Sequence, residues 1–193
     1  LTMNFLSINS IYKEIKWRLL FKKLRKIEFL ILDVDGVLTD GGLWFQNDGY
    51  ILKRFDVKDG LSLNLVQEAG IKIILISGGE SVCTEIRASQ LGIKDCFFDV
   101  KDKYKRLKDF QKEKRISIAK CAYVGDDVND IVVRPLVSLL FAPFNASESL
   151  KSISDFKLQK SGGNGAVREV AERILQSKGL WKNYSKNGLS KAN

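Results

Sequence analysis

Five short, mainly apolar runs punctuate the chain, and polar or turn-forming residues follow each one. They are Phe29–Leu32, Ile71–Ile76, Cys96–Phe98, Ala119–Val124 and Val137–Phe141. Runs of this length that are apolar at successive positions suit strands buried on both faces, as in a parallel sheet between helical layers. Between and after them lie stretches with helical character at 60–69, 80–91, 101–115, 127–134, 147–153 and 165–177. Strands alternating with helices of this length predict an α/β fold, a doubly wound parallel sheet with right-handed crossovers. One interruption stands out. Leu43–Gln46 and Tyr50–Phe55 flank Asn47-Asp48-Gly49, a strong hairpin-turn signal, so a β-hairpin is predicted directly after the first strand and its loop. The whole chain, 193 residues, is near the length of one domain.

Composition narrows the chemistry. The chain has no histidine, which excludes Ser-His-Asp and Cys-His catalysis, histidine-ligated metals and a histidine proton shuttle. Acid–base or metal chemistry must rest on carboxylates, lysine, hydroxyls and backbone groups. The net charge of +9 belongs to the ends: residues 1–28 carry seven basic and two acidic side chains, residues 176–193 carry four lysines and no acid, and residues 29–175 balance at 21 each. A basic balance confined to the ends argues against nucleic acid as a partner. Residues 10–27 read as a basic amphipathic helix, with Ile11, Ile15, Leu19, Leu20, Leu24 and Ile27 at helical spacing. Packing on its own domain or on a neighbouring subunit is favoured over contact with a membrane surface. Cys83, Cys96 and Cys121 have no CxxC spacing and read as small apolar residues of a reducing, cytoplasmic compartment. No apolar run approaches a membrane span. The tail, 182–193, is polar and reads as flexible.

In open α/β sheets the ligand lies at the carboxyl ends of the strands. After the first run come Asp33, Asp35 and Gly36, then Thr39 and Asp40; after the second, Ser77-Gly78-Gly79; after the third and a short loop, Lys101-Asp102-Lys103; after the fourth, Gly125-Asp126-Asp127, then Asn129 and Asp130. Singly, an Asp-x-Asp pair is a capping element and Ser-Gly-Gly a turn. Together, in this order, they suit phosphoryl transfer. A phosphomonoester dianion repels a carboxylate nucleophile, so the site needs a divalent cation and fixed donors. Mg²⁺, an oxygen-seeking cation that keeps waters, is satisfied by a few carboxylates and a carbonyl, for which Asp33, Asp35 and Asp126 are the candidates. Asp33 is the expected nucleophile and Asp35 the expected proton donor and acceptor. Ser77, Gly78 and Lys103 are expected to hold the phosphate, with Asp127 and Asp130 in support.

The segments DVDGVLTDGG, LKRFDVKDGLSLNLVQEAGIKIILISGGES, LGIKDCFFDVKDK, AYVGDDVNDI and SGGNGAVREV resemble those of the haloacid dehalogenase (HAD) superfamily. Within it they resemble the 3-deoxy-D-manno-octulosonate 8-phosphate (KDO 8-phosphate) phosphatases and their relatives, the nonulosonate (sialic-acid-type) 9-phosphate phosphatases. The resemblance covers roughly residues 29–181. It implies a HAD-like, Rossmannoid fold with a hairpin flap and Mg²⁺-dependent hydrolysis of a sugar-acid phosphate through an aspartyl-phosphate. It also implies a part in lipopolysaccharide synthesis and a homotetramer in which the hairpins form a central barrel. The implied organisation is a basic extension, 1–28, a phosphatase domain, 29–181, and the tail. It further suggests that Gly162-Gly163-Asn164-Gly165 reaches a neighbouring site; the plainer reading is a glycine turn before a helix.

Spacing alone supports a capless core. The intervals from Asp33 to Ser77, Ser77 to Lys103 and Lys103 to Asp126 are 44, 26 and 23 residues, too short for an inserted domain. The departures from the family fall at substrate-reading positions: Gly79 replaces an expected arginine, Glu85 and Ile86 replace two more, Phe144-Asn145-Ala146-Ser147 replaces Asp-Ala-His-Pro, and Asn164 replaces a basic residue. Arg54, Lys58 and Arg87 remain as candidate partners of the substrate carboxylate. Rival readings are another sugar-phosphate phosphatase, a catalytically idle scaffold subunit, and an Asp-x-Asp glycosyltransferase, which leaves Lys103 unexplained.

Overall fold

A computed structural model describes residues 5–79 and 82–188, without the side chains of residues 5–10, 12 and 13. The start of the 80–91 stretch, the first four residues of the 1–28 extension and the last five of the tail lie outside the described residues. In chain order the strands are β1 (Phe29–Leu32), β2 (Trp44–Phe45), β3 (Ile51–Leu52), β4 (Lys72–Ile76), β5 (Asp95–Phe97), β6 (Cys121–Val124), β7 (Leu139–Ala142) and β8 (Phe156–Lys157). The helices are α1 (Phe5–Leu24), α2 (Val57–Glu68), α3 (Val82–Gln90), α4 (Lys103–Lys114), α5 (Glu148–Ile153), α6 (Ala166–Ser177) and α7 (Trp181–Asn187).

Six strands form one parallel sheet in the order β5-β4-β1-β6-β7-β8, and β2 pairs antiparallel with β3 in the separate hairpin. Side chains alternate across a strand, so the apolar runs divide between two cores. Leu30 and Leu32 share one core with Leu75, Val124 and Phe141, covered by residues of α1, α2 and α6 such as Trp17, Val66 and Ile174. Ile31, Ile74, Ile76 and Tyr123 share the other with Leu107 and Phe110 of α4 and Leu150 of α5. Burial on both faces is why these strands read as unbroken apolar runs. The chain leaves β1 toward β4 on one side and later returns to β6 on the other, which opens a crevice beyond the carboxyl end of β1.

Helix α1 packs on its own domain, with an inward face that differs from the expected one. Trp17, 1% exposed, lies 3.8 Å from the Phe156 ring and 5.6 Å from that of Phe141, and Leu24 and Ile27 are buried with it. Ile11, Ile15 and Leu19 face outward. The helix is therefore part of the main core and not an appended extension. Three further differences have local causes. The stretch 127–134 is a 3₁₀ helix, Val128–Leu136, rather than an α-helix, because it is rich in β-branched residues and contains Pro135. Strand β8 is two residues long, too short to show a period. The segment expected to be a loose tail contains α7, and Trp181 and Tyr184 pack against the main core. Among the described residues no helix is long and apolar enough to cross a membrane.

Candidate active site

Asp33 follows β1, and its N–H still donates to the Val124 carbonyl at 3.0 Å, so the sheet ladder fixes its backbone. Lys103 opens α4, whose N-cap is Asp102. Its Nζ lies 3.1 Å from Asp33 Oδ1 and 2.7 Å from Asp130 Oδ1, and all three side chains are buried. Asp130 Oδ1 also accepts from the Tyr123 hydroxyl at 2.6 Å, and its Oδ2 accepts from the Asp126 N–H at 2.9 Å. Gly36, at φ +80°, is needed where it stands, because a Cβ there would collide with the Asp126 carboxylate. The loop after β1 thus closes directly onto the loop after β6.

Asp33, Asp126 and Asp130 each offer an oxygen within 4.8 Å of the others. Burial first, then the charge of Asp130, pushes Asp33 up to about 8 against the pull of Lys103. Burial, Asp130 and Asp127 push Asp126 up to about 7. Such a cluster lacks positive charge, and a divalent cation among the carboxylates would restore their ionised form. An all-oxygen donor set suits a hard cation such as magnesium. Asp33 and Asp126 fit as direct ligands. Both Asp130 oxygens already have short partners, which suits it to orienting Lys103 and the Asp126 backbone.

The Asp35 carboxylate points away from this cluster. Its Oδ2 meets Lys53 Nζ at 2.7 Å, and its Oδ1 accepts from the Thr39 hydroxyl at 3.4 Å. An open cleft of about 570 Å³ is lined by Asp33, Asp35, Gly36, Gly41, Ser77, Gly78, Gly79, Asp126, Asp127, Val128 and Asn129. Ser77 is buried at the end of β4, and its Oγ accepts from the Gly79 N–H at 3.3 Å. Asp127 is an exposed N-cap that accepts from the Val128 N–H at 2.7 Å. All the predicted catalytic and phosphate-facing residues therefore gather at one end of the sheet.

The predicted substrate residues do not join them: none of Arg54, Lys58 and Arg87 is among the residues lining the cleft. Arg54 donates to the Gly163 carbonyl at 2.9 Å. Lys58 borders a different cleft, with Asp56 and Arg168. Arg87 lies over Gly60 and reaches Gln90. Neither Lys53, Thr39 nor Tyr123 had been singled out from the sequence for a role. A tyrosine inside a fully buried strand was the available signal for Tyr123, since its hydroxyl needs a partner. The glycine segment folds against its own chain: the Gly163 N–H donates to the Val37 carbonyl at 2.9 Å.

No family model matches the chain. It is 37% identical over 158 residues, 82% of this chain and 88% of the other, to a Haemophilus influenzae protein named 3-deoxy-D-manno-octulosonate 8-phosphate phosphatase. The structure superposes with a TM-score of 0.86 on the Moraxella catarrhalis phosphatase of that name, solved with magnesium, phosphate and KDO; identity is 32%, covering 89% of this chain and 99% of that one. For the cobalt-bound Haemophilus influenzae enzyme the TM-score is 0.83 and identity 35%, covering 88% and 99%. The site sits on a scaffold shared with these proteins, and the chain belongs to the KDO 8-phosphate phosphatase family of the HAD superfamily.

Proposed function

We propose that this protein is a magnesium-dependent phosphatase that hydrolyses KDO 8-phosphate to KDO and phosphate. One observation carries the reading. Asp33, Lys103, Asp126 and Asp130 meet in a buried cluster beside an open cleft, with Asp35 on its wall. Asp33 and Asp126 would hold magnesium, which when bound neutralises charge on the phosphoryl group. Asp33 supplies the attacking oxygen: its bond to phosphorus forms as the bond from phosphorus to the sugar oxygen breaks. Asp35 gives its proton to that sugar oxygen as it leaves. Water then attacks phosphorus and returns a proton to Asp35, and the bond from Asp33 to phosphorus breaks. The sum is ester plus water giving alcohol plus phosphate. Ser77 and the Gly78 backbone hold the non-bridging oxygens, and Lys103 keeps Asp33 oriented and offsets negative charge.

Within one chain the cleft is open, and among the described residues that line it none brings a basic side chain to meet a sugar-acid carboxylate. Trp44, Phe45 and Tyr50 of the hairpin are exposed. Both observations favour a homotetramer whose neighbouring hairpins cover one another and wall the site. The lack of a basic side chain also keeps a second substrate in view, a nonulosonate 9-phosphate or another sugar phosphate. kcat/KM on a panel of sugar phosphates decides the substrate, and light scattering decides the assembly. Preference for a neutral sugar phosphate over KDO 8-phosphate overturns the substrate reading. Full activity of Asp33→Asn overturns the mechanism.

A further inference from the structure

Lys53 lies just beyond β3, at the foot of the hairpin, yet its side chain is only 4% exposed. A buried ammonium needs a partner, and the partner here is Asp35 Oδ2 at 2.7 Å. Thr39 holds the same carboxyl from the other side: its hydroxyl lies 3.4 Å from Asp35 Oδ1 and accepts from the Gly41 N–H at 3.2 Å. Thr39 also forms a β-bridge with Phe55, two residues beyond Lys53. The foot of the hairpin and the loop after β1 are therefore fastened together around a single carboxyl group.

We infer that Lys53 is a positioning residue for protonation of the leaving group: with Thr39 on Oδ1 it fixes Oδ2, and so holds the Asp35 carboxyl in the wall of the cleft. This rests on the phosphatase reading above. Lys53 is not among the residues lining the cleft and acts through Asp35. The hairpin then has a chemical role besides walling the cleft, because its return strand sets the geometry of proton transfer. Charge is conserved throughout: the proton moves from the Asp35 carboxyl to the departing oxygen, and the Lys53 ammonium keeps its own.

The consequence is specific to the leaving group. A sugar alkoxide leaves poorly without a proton, whereas nitrophenolate is a stable anion that leaves unaided. Lys53→Met keeps the length of the stem and removes the charge; Lys53→Arg keeps the charge. The assay is kcat/KM of the full-length enzyme with magnesium, on the sugar phosphate and on p-nitrophenyl phosphate, with a thermal melt of each variant. The value of kcat/KM reports the phosphoryl-transfer step before later hydrolysis. We expect Lys53→Met to lose about 100-fold on the sugar phosphate and less than about 5-fold on the nitrophenyl ester. Lys53→Arg should recover most of the sugar-phosphate loss. Equal losses on both esters, or no loss on the sugar phosphate, overturn the inference. A wild-type enzyme that cleaves neither ester overturns the phosphatase reading itself. If Lys53→Met melts early, the ratio of the two esters for Lys53→Arg decides: a ratio near that of wild type supports the role, and a ratio lower for the sugar phosphate in step with the methionine variant refutes it.

Discussion

Magnesium and protons should compete for this site, and the geometry sets how strongly. Asp33 stands at about 8 and Asp126 at about 7 without a cation, because both are buried beside Asp130. At pH 7 this leaves both carboxyls wholly or partly protonated, so binding a cation that needs both ionised releases protons. Between pH 6 and pH 7 the apparent affinity should tighten by at least about 10-fold, and the rise should fade once both carboxyls are ionised. The sign for stability follows from the same values. Both folded values lie above the ordinary 3.8, so their contribution to the metal-free fold is fully present below about pH 4 and is lost as pH rises through 7 to 8. Metal-free protein should weaken with rising pH while the stabilisation by magnesium grows. Calorimetric titration in two buffers of different ionisation enthalpy counts the protons released. Thermal melts with and without magnesium across the same range give the stability. An affinity that does not change between about pH 6 and pH 8, with no proton release, refutes the placement of the cation at Asp33 and Asp126.

Lys103→Met should strand Asp33 and Asp130 as buried, uncompensated carboxyls; a loss of about 3–5 kcal/mol in urea unfolding of the metal-free protein is expected, and magnesium should recover part of it. Asp59 is buried in α2 and accepts from the Gly165 N–H at 3.1 Å and the Arg168 N–H at 2.8 Å, capping α6 from another helix. Burial pushes it up to about 6 from 3.8, a cost of at most about 3 kcal/mol for keeping it ionised. The stability of Asp59→Asn minus that of wild type should therefore rise by up to that amount as pH climbs from about 4 to above 6, and a flat difference would remove the cause assigned to the shift. Gly162→Ala places a methyl 1.7 Å from the Gly36 carbonyl oxygen, a backbone atom that cannot step aside. A stability loss of at least about 1–3 kcal/mol is expected, together with a lower kcat, since the displaced loop carries Asp35 and Thr39; melts and steady-state kinetics check both.

The sequence made the sheet readable because its strands are buried on both faces. Phe29–Leu32 could be recognised as a strand without knowing what covers it, whereas its place between β4 and β6 is visible only in the fold. The candidate site residues could be picked out for the same reason, since Asp33, Ser77, Lys103 and Asp126 all lie at or near strand ends. Readability failed where tertiary packing overrides local pattern. The apolar spacing of α1 suggests Ile11, Ile15, Leu19, Leu20, Leu24 and Ile27 as its inner face; Leu24 and Ile27 are buried, but Ile11, Ile15 and Leu19 are not, because the helix turns Trp17 inward onto the Phe141 and Phe156 rings. Strand β8 consists of two residues whose pairing with β7 no local signal announces.

The substrate side of the cleft shows the deeper difficulty. Arg54, Lys58 and Arg87 were chosen by charge, yet charge alone does not say which way a side chain points. Lys53 and Arg54 lie beyond the end of β3, before the Thr39–Phe55 bridge, where no strand period fixes which way each side chain points. The return arm of the hairpin runs antiparallel to the strand before it and therefore returns its foot to the loop it left, the loop that carries Asp35. The observed division, Lys53 to Asp35 and Arg54 to the Gly163 carbonyl, gives one arm of the hairpin two tasks. Lys53 ties the hairpin to the group proposed to carry the proton, and Arg54 ties it to the glycine segment that packs on the loop after β1. A hairpin fastened at both points cannot shift without moving Asp35. If neighbouring chains cover its exposed aromatic residues, assembly should therefore be felt in the leaving-group dependence of the reaction more than in phosphate binding.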